Sequence, residues 1–534
     1  MANERIVRTS GRNETIVTGD GNDTIQTAYG NDVIDAGNGN NTINAGAGNN
    51  QITTGNGTDN IVACRGNDTI TTGEGNKTID AGHGRNLIMT QGGNDVITTL
   101  DGDDFINAGS GNNRINAGHG ANTIVALGGN DTIRTLSGDD TIHAGDGNND
   151  IRAGEGKNTI TSGDGNDCIT AGACADVITT GDGDKQINVG NGNNEVTAGN
   201  GTNTITAYAG NDTITAGDGA NTVDAGNGHN KVIVGNGNDK VYAGSGNDVV
   251  FAGDGNNHVS VGNGNNQVVT GNGNDTILAA GNAGNTNYIW TGDGDDYLSL
   301  GKADDTIVLG VGSSTLYADG GNDTAYFDLS GNVPNKNFLS GGAGQDTLVL
   351  NLTGAQSNDQ AILADVAAYQ AHLDAGKSGA AFQFESVDLK LVGWERVQID
   401  HVLTASDDTT TLTALPLADH TYDGGDGVDT LLFNGVADLD LTAIALGTLR
   451  SFEKIDMTDS SATHLKLSAD AVASMSSDKT LRVTGDANDT VTLADKAAWG
   501  TAVQADVGGV TFDVYHNSQL ADVTLYVQQG LAVL

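Results

Sequence analysis

The chain has 534 residues, a length that predicts two or more domains. Its formal net charge is −44, from 24 Lys and Arg against 68 Asp and Glu. This charge argues against nucleic acid or an anionic membrane as a partner, and it suits a protein that carries cations. No stretch of about 20 apolar residues occurs, so we predict no membrane span.

The first residues, Met1 to Arg5, lead directly into a repeated pattern and lack the apolar stretch of a cleaved signal peptide. A solenoid normally needs a polar cap at its end. Since the pattern begins at Val7, we expect an uncapped first turn. The open strand edges of such a turn invite pairing with another chain.

A nine-residue period dominates the first half of the chain. Every ninth residue from Val7 to Ile277 is Ile or Val, which gives 31 positions without an exception. So strict a period predicts an array of small stacked units, which we place at residues 7–282. A three-residue slip at 280–287 ends the strict array, and looser repeats follow over 283–334.

A typical unit, Thr18 to Gln26, shows the chemistry of the repeat, and we number its residues as positions one to nine. Gly19 and Gly21 occupy positions two and four, and glycine permits a tight loop there. Such a loop turns carbonyl oxygens inward beside Asp23 at position six. Carbonyl and carboxylate oxygens are the ligands that suit calcium. Ile25, at position eight, is the inward residue of a short strand.

These residues resemble the RTX, or haemolysin-type calcium-binding, nonapeptide family, whose pattern is Gly-Gly-x-Gly-x-Asp-x-U-x with U a large apolar residue. Full matches also stand at residues 341–349 and 424–432. The resemblance implies a parallel β-roll with two nonapeptides per turn and several calcium ions between like loops of adjacent turns. RTX relatives leave the cell by type I secretion through an uncleaved C-terminal signal, and residues 514–534 look like such a tail.

Position six alternates in the order Asp-Asp-Asn-Asn, so the true repeat is 36 residues, and only Lys77, Lys185 and Asn203 break the order. On each edge of a roll, carboxylate and amide then alternate from turn to turn. Two carboxylates about 4.8 Å apart repel by roughly 3–4 kcal/mol at an effective dielectric constant of about 20. We therefore expect weaker calcium binding per site and less dependence on full occupancy, although Asn that drifted into redundant sites is an alternative. The predicted calcium ligands are Asp23, Asp32, Asp59, Asp68, Asp95, Asp104, Asp131, Asp140, Asp167, Asp176, Asp212, Asp239, Asp248, Asp275, Asp346 and Asp429.

The composition changes near residue 335, and we predict a β-rich C-terminal domain over 335–534 with one or two short helices. Residues 361–370 have the pattern of an amphipathic helix. Residues 382–397 predict a strand pair that turns at Gly393. The whole chain is therefore predicted to be all-β: a long parallel β-roll at 1–334, followed by this domain.

No catalytic motif stands out. We find no His-Glu-x-x-His zinc motif, no Gly-x-Ser-x-Gly elbow and no phosphate-binding loop, so we predict that the chain is not an enzyme. His83 and His119 lie 36 residues apart and are interpreted as repeat copies, not as zinc ligands. Cys64, Cys168 and Cys174 do not form a disulfide framework; a Cys168–Cys174 bridge is the less favoured alternative.

Three functional hypotheses remain open. The first is a secreted calcium protein of a Gram-negative bacterium that assembles with itself as an S-layer or matrix subunit, with cell-surface polysaccharide and the type I secretion machinery as further partners. The second is an adhesin or ice-binding module, since Thr recurs at outward strand positions. The third is a toxin or enzyme with an unrecognised site in 335–534. The threonines that motivate the second are Thr24, Thr42, Thr69, Thr78, Thr132 and Thr141.

Overall fold

A computed structural model describes residues 3–329, 336–352, 360–401, 409–412, 422–423, 427–433, 437–443, 449–458, 462–476, 478–520 and 522–534. The described part is almost entirely β-structure. Its α-helices are Gln360–Asp374 and Ala469–Met475, and its 3-10 helices are Leu441–Ala443 and Lys496–Ala498. The predicted fold class, all-β with a parallel roll and short helices, is confirmed. The first α-helix was predicted from its pattern at 361–370; a second short helix was allowed for, but its position was not predicted.

Two parallel sheets form the roll, and consecutive strands alternate between them. Ile25 lies beside Ile6 and Ile43, and Ile34 lies beside Ile16 and Ile52, so each strand pairs with the strand two further along the chain. One turn therefore contains two nonapeptides, as the family resemblance implied.

The strands of the first sheet are Arg5–Val7, Thr24–Gln26, Thr42–Asn44, Asp59–Val62, Lys77–Gly82, Val96–Thr99, Arg114–His119, Thr132–Ser137, Asp150–Gly154, Cys168–Ala171, Gln186–Gly190, Thr204–Ala207, Thr222–Asp224, Lys240–Gly244, His258–Val261, Thr276–Ala279, Tyr297–Ser299, Thr315–Tyr317, Asn337–Ser340, Leu389–Val392 and the antiparallel Phe382–Phe384. The strands of the second sheet up to residue 328 are Thr15–Val17, Val33–Asp35, Gln51–Thr53, Thr69–Thr71, Leu87–Met89, Phe105–Ser110, Thr123–Gly128, Thr141–Gly145, Thr159–Ser162, Val177–Thr180, Glu195–Ala198, Thr213–Ala216, Lys231–Val234, Val249–Phe251, Gln267–Val269, Tyr288–Trp290, Thr306–Leu309 and Thr324–Asp328.

Position eight forms the core of the roll because alternate strand residues point to opposite faces of a sheet. In a typical strand such as Thr24–Gln26, the central Ile is buried and its two neighbours are exposed. The sequence prediction was wrong at the first position only. Ile6, not Val7, is in register with Ile25, and Val7 is 37% exposed. The step from Ile6 to Ile16 is therefore ten residues, and the strict period begins at Ile16.

The slip at residues 280–287 is an insertion that the roll accommodates. Val268 pairs with Ile289, a separation of 21 residues in place of 18, and the regular separation then resumes. The ladder also runs past residue 334, since Leu316 pairs with Leu339 and Leu339 with Leu391. The strand pair predicted at 382–397 is Phe382–Phe384 against Leu389–Val392, which turns at 385–388 and not at Gly393.

The chain divides into two compact units. The first consists of Met1–Phe327, Pro334–Leu348 and His372–Val397, and the second of Asp328–Val333, Val349–Ala371 and Gln398–Leu534. Strands Thr347–Leu352 and Arg396–His401 contain residues of both.

The second unit has its own buried core, which includes Phe433, Phe452, Leu481 and Leu525. A seven-stranded sheet in the order Thr409–Leu412, Thr430–Phe433, Lys454–Asp456, Thr480–Thr484, Thr524–Gln528, Val510–His516 and Val503–Val507 lies in it. A four-stranded sheet contains Asp438–Asp440, His464–Leu467, Thr490–Leu493 and Ala532–Val533, and a two-stranded sheet contains Tyr422–Asp423 and Leu449–Arg450. None of the described helices is long and apolar enough to cross a membrane.

Candidate calcium sites

Backbone geometry at the loops depends on glycine at position four. Gly39 has a φ of +121°, and a Cβ atom there would lie 1.9 Å from the carbonyl oxygen of Gly21 in the preceding turn. Gly57 repeats this arrangement against Gly39, at 2.0 Å. No side chain fits between the turns at these two positions, so glycine is required there by space as well as by backbone conformation. The loop of Asp176 is an exception, since it has Cys174 at position four.

All of the predicted calcium ligands are buried, at most 2% exposed. Their Oδ1 atoms join adjacent turns. The Asp23 amide N–H donates to Asn41 Oδ1 at 3.0 Å, and the Asn41 amide N–H donates to Asp59 Oδ1 at 2.9 Å. Asp and Asn thus fulfil the same backbone role with one oxygen, and they differ in the second side-chain atom.

In Asn loops, the second atom is an amide nitrogen that donates to the carbonyls of its own loop. Asn41 Nδ2 lies 3.3 Å from the Gly37 oxygen and 3.2 Å from the Gly39 oxygen. Asn158 Nδ2 makes the same contacts with Gly154 and Gly156, at 3.4 and 3.0 Å. Because Oδ1 accepts a backbone N–H, the network fixes the orientation of the amide. We call the carbonyl oxygens of positions two and four, with the second side-chain atom of position six, the cage of a loop.

In most Asp loops, the corresponding second atom is the carboxylate oxygen Oδ2, which is buried and has no hydrogen-bond donor. A buried oxygen that makes no hydrogen bond is costly, and a cation in the cage would satisfy it together with the carbonyls. The residues therefore fit calcium. Oδ2 atoms of this kind belong to Asp23, Asp32, Asp68, Asp95, Asp104, Asp131, Asp140, Asp176, Asp212, Asp239, Asp248, Asp275, Asp296, Asp305, Asp323 and Asp346.

Burial raises the pKa of many of these carboxyl groups because it penalises the charged form. The pKa of Asp68 rises to about 6, that of Asp296 to about 7 and that of Asp323 to about 8. At Asp323 the charges of Asp305 and Asp346 add to the effect of burial. When ionised, each of these three carboxyl groups is a poorly stabilised negative charge, which a divalent cation would neutralise.

Two predicted ligands differ from the rest. Asp59 Oδ2 accepts a hydrogen bond from Thr54 Oγ1 at 2.8 Å and makes an ion pair with Lys77 Nζ at 3.1 Å. Asp167 Oδ2 has equivalent contacts, with Ser162 Oγ at 2.8 Å and Lys185 Nζ at 2.9 Å. These two cages already contain a positive charge.

Several carboxylates outside the predicted set have the same role in the structure. Asp296, Asp305 and Asp323 occupy position six of the looser repeats. Their signal was present, since each lies two residues before an inward Leu, Ile or Ala, but the broken nine-residue register obscured it.

Glu395 was also missing from the predicted site residues, for a different reason. Its carboxylate accepts the Asp346 amide N–H at 3.0 Å, and the Asp346 carbonyl accepts the Glu395 amide N–H at 3.1 Å. Glu453 makes the same two contacts with Asp429, at 2.9 and 3.1 Å. A long insertion separates the first pair in sequence, so no repeat spacing could reveal it. Residues 424–426 of the second full match lie outside the described residues.

The described part of the chain contains no metal site made of side chains alone. No group of three or more His, Cys, Asp or Glu residues in it is arranged to hold a metal ion. The cages depend on backbone carbonyls instead. His83 Nδ1 lies 3.0 Å from Asp101 Oδ2 and is half-buried, and His119 Nδ1, at the exposed end of strand Arg114–His119, lies 2.7 Å from Ser137 Oγ. Cys64, Cys168 and Cys174 are free thiols.

Comparison with known proteins decides the family. The family described as RTX calcium-binding nonapeptide repeat (4 copies) matches overlapping segments that together span residues 8–329, more than half of the chain. The chain belongs to this family. Calcium, bound as several ions, is accordingly its cofactor. The resemblance deduced from the loop residues is confirmed, and the roll is a structural and not a catalytic element.

Other comparisons add little. Among solved structures, the chain is similar to a hyperactive, Ca2+-dependent, beta-helical antifreeze protein from an Antarctic bacterium, at 18% identity over 74% of this chain and 92% of that chain. The TM-score of 0.15 is too low to carry an argument. No curated protein matches.

Proposed function

We propose that this protein is a secreted structural protein whose calcium-loaded roll assembles outside the cell as an S-layer or extracellular matrix subunit. The observation that supports the proposal is the repetition of the cages. Carboxylate cages recur on both edges of the roll from Asp23 to Asp346, so the element as a whole is organised around calcium. Proteins with RTX repeats are typically secreted, and extracellular calcium would fill such cages.

Charge supports assembly that depends on calcium. At −44, copies of the chain repel one another, and ions bound in the cages lower this charge where subunits meet. A regular roll also presents the same surface at each turn, which suits contacts that repeat into a filament or sheet. We also propose that cell-surface polysaccharide anchors the assembly and that the type I secretion machinery exports the protein.

The test is size-exclusion chromatography with negative-stain electron microscopy of the full chain, in millimolar calcium and in chelator. Ordered polymers in calcium and their dissociation in chelator are the expected results. The control is magnesium at equal concentration, which screens charge but suits oxygen cages of this kind poorly. A protein that stays monomeric at high concentration in millimolar calcium would contradict the assembly role.

A second candidate is a surface- or ice-binding module, and one feature of the second sheet favours it. Thr161, Thr179, Thr197 and Thr215 lie side by side in register on its outer face, one per turn. Such a row repeats one threonine per turn, and recognition of an ordered surface requires regular spacing of this kind. Thermal hysteresis of the wild type, lost when Thr179 and Thr197 are changed to Val, would favour this candidate; no hysteresis would exclude the ice-binding form.

A further inference from the structure

Two cages in the first unit are occupied by a side chain of the next turn. Lys77 Nζ lies 2.6 Å from the Gly57 oxygen and 3.4 Å from the Gly55 oxygen, the two carbonyls of the Asp59 loop. It also lies 3.1 Å from Asp59 Oδ2 and 3.0 Å from the Glu74 oxygen of its own loop. The lysine side chain reaches back one turn, and both charged groups are fully buried.

The same arrangement occurs 108 residues further along. Lys185 Nζ contacts the carbonyl oxygens of Gly163, at 3.1 Å, and of Gly165 in the Asp167 loop. It also lies 2.9 Å from Asp167 Oδ2 and 3.0 Å from the Asp182 oxygen. Two independent copies with the same four partners show a built site and not a chance contact.

These oxygen partners are the ones that the other Asp loops offer to calcium: two loop carbonyls and one carboxylate oxygen, with a carbonyl of the next turn added. An ammonium group is a compact point charge with three donors, and here it finds four acceptors. A buried lysine is tolerated only when it is paired and hydrogen-bonded in this way. We propose that Lys77 and Lys185 serve as covalently attached cations that close the Asp59 and Asp167 cages to calcium.

A tethered cation cannot be removed by a chelator. The turns around residues 54–77 and 162–185 should therefore keep their loop hydrogen bonds at calcium concentrations that leave the other Asp cages unsatisfied. The two sites would preserve strand register at two points of the roll. This inference rests on the proposed occupancy of the remaining Asp cages by calcium.

The residues at position six of the other loops indicate which substitution tests this proposal. Asn is the usual residue at position six of the turn after an Asp loop, so Lys77→Asn and Lys185→Asn should restore the common Asp–Asn arrangement and fold in calcium. The matched control is Lys240→Asn, which removes the same charge from an exposed strand position of the same sheet. The full chain is used throughout.

The first readout is calcium stoichiometry by native mass spectrometry at saturating calcium. Each of Lys77→Asn and Lys185→Asn should bind one more ion than the wild type, the double variant two more, and Lys240→Asn none. An unchanged count in the double variant would overturn the inference. If the wild type binds no calcium at all, the assignment of the Asp cages fails instead, which distinguishes the two failures.

The second readout is hydrogen exchange in chelator. Amides of residues 57–77 should exchange at least tenfold more slowly in the wild type than in Lys77→Asn, and calcium should restore their protection in the variant. Residues 131–149, which have no lysine, should exchange alike in both proteins. Equal exchange of residues 57–77 in both proteins would overturn the inference.

Discussion

Two regions of the roll have the same type of loop but differ in how often a carboxylate occurs from turn to turn along one edge. One edge of the roll is formed by the loops that lead into the strands of the second sheet. From Asp68 to Asp176, carboxylate and amide alternate from turn to turn along this edge. Beyond Asn287 that edge carries carboxylates on consecutive turns. The Asp305 amide N–H donates to Asp323 Oδ1 at 2.8 Å, and the Asp323 amide N–H donates to Asp346 Oδ1 at 2.9 Å.

The difference is visible in the pKa values. Burial raises the pKa of Asp68 and Asp176, in the alternating region, to about 6. In the consecutive run, burial together with the neighbouring carboxylates raises that of Asp323 to about 8. At Asp323 the charges of Asp305 and Asp346 contribute to this rise, and Asn in their place would not make that contribution. We therefore expect the consecutive run to gain most from calcium binding.

Removal of calcium should have the largest effect. Because the cages are not formed in the unfolded chain, calcium-binding energy contributes directly to folding. We expect chelator at pH 8 to abolish most of the β-signal in circular dichroism. On calcium titration followed by hydrogen exchange, residues 305–346 should gain protection at lower calcium than residues 86–158. Unchanged circular dichroism after exhaustive chelation would contradict the account.

Lowering the pH should partly replace calcium. A carboxyl whose pKa is raised in the folded state stabilises that state fully below its unfolded pKa of about 4, and this contribution is lost as pH rises through the folded pKa. For Asp275, Asp296 and Asp323 the folded pKa values are about 6, 7 and 8. In chelator, the β-signal in circular dichroism should therefore return as pH falls from 8 to 5. A signal that does not return over this range would contradict the raised pKa values.

Substitutions that exchange the alternating and the consecutive patterns of carboxylates should have the next largest effect. Asp323→Asn restores alternation, and we expect a more stable metal-free roll and an affinity of the last turns for calcium that is weaker by about tenfold, or 1.4 kcal/mol. Asn122→Asp makes a run of three with Asp104 and Asp140, and it should act in the opposite direction. Isothermal titration calorimetry and chelator melts measure both. Like-signed shifts in the two variants would show that charge spacing has no role.

The smallest effect is expected from local loss of carboxylates. Asp131→Asn with Asp140→Asn removes the only carboxylate from two adjacent cages, and the new amides should fill them as Asn113 and Asn122 do. Two fewer calcium ions should bind, with little loss of stability in chelator. Native mass spectrometry gives the count, and an undiminished count would show that Asn cages hold calcium.

Sequence periodicity was sufficient for the roll because one inward residue per nonapeptide and one glycine per loop impose the structure at every turn. It predicted for the same reason that Asp23 and its equivalents lie beside the carbonyl oxygens of their loops. It could not reveal what the second side-chain atom does. That the Asn41 amide fills its own cage, and that Lys77 fills the cage of Asp59, depends on side-chain reach between turns.

The pairing of Asp346 with Glu395 likewise depends on contacts distant in sequence. At the first strand, periodicity alone gave the wrong residue. Counting back in steps of nine leads to Val7, whereas Ile6 is the inward residue. Periodicity identifies the repeated positions, and only three-dimensional contacts identify what occupies each cage.

Anomalous diffraction from crystals of the calcium-loaded protein tests the central claim most directly, because it places each ion. We expect calcium at the cages of Asp23, Asp131 and their equivalents with unpaired Oδ2 atoms, and none at the cages of Asn41 or Asn158. The cages of Asp59 and Asp167 should contain only the lysine ammonium groups. Calcium at Asn loops as often as at Asp loops would contradict the account.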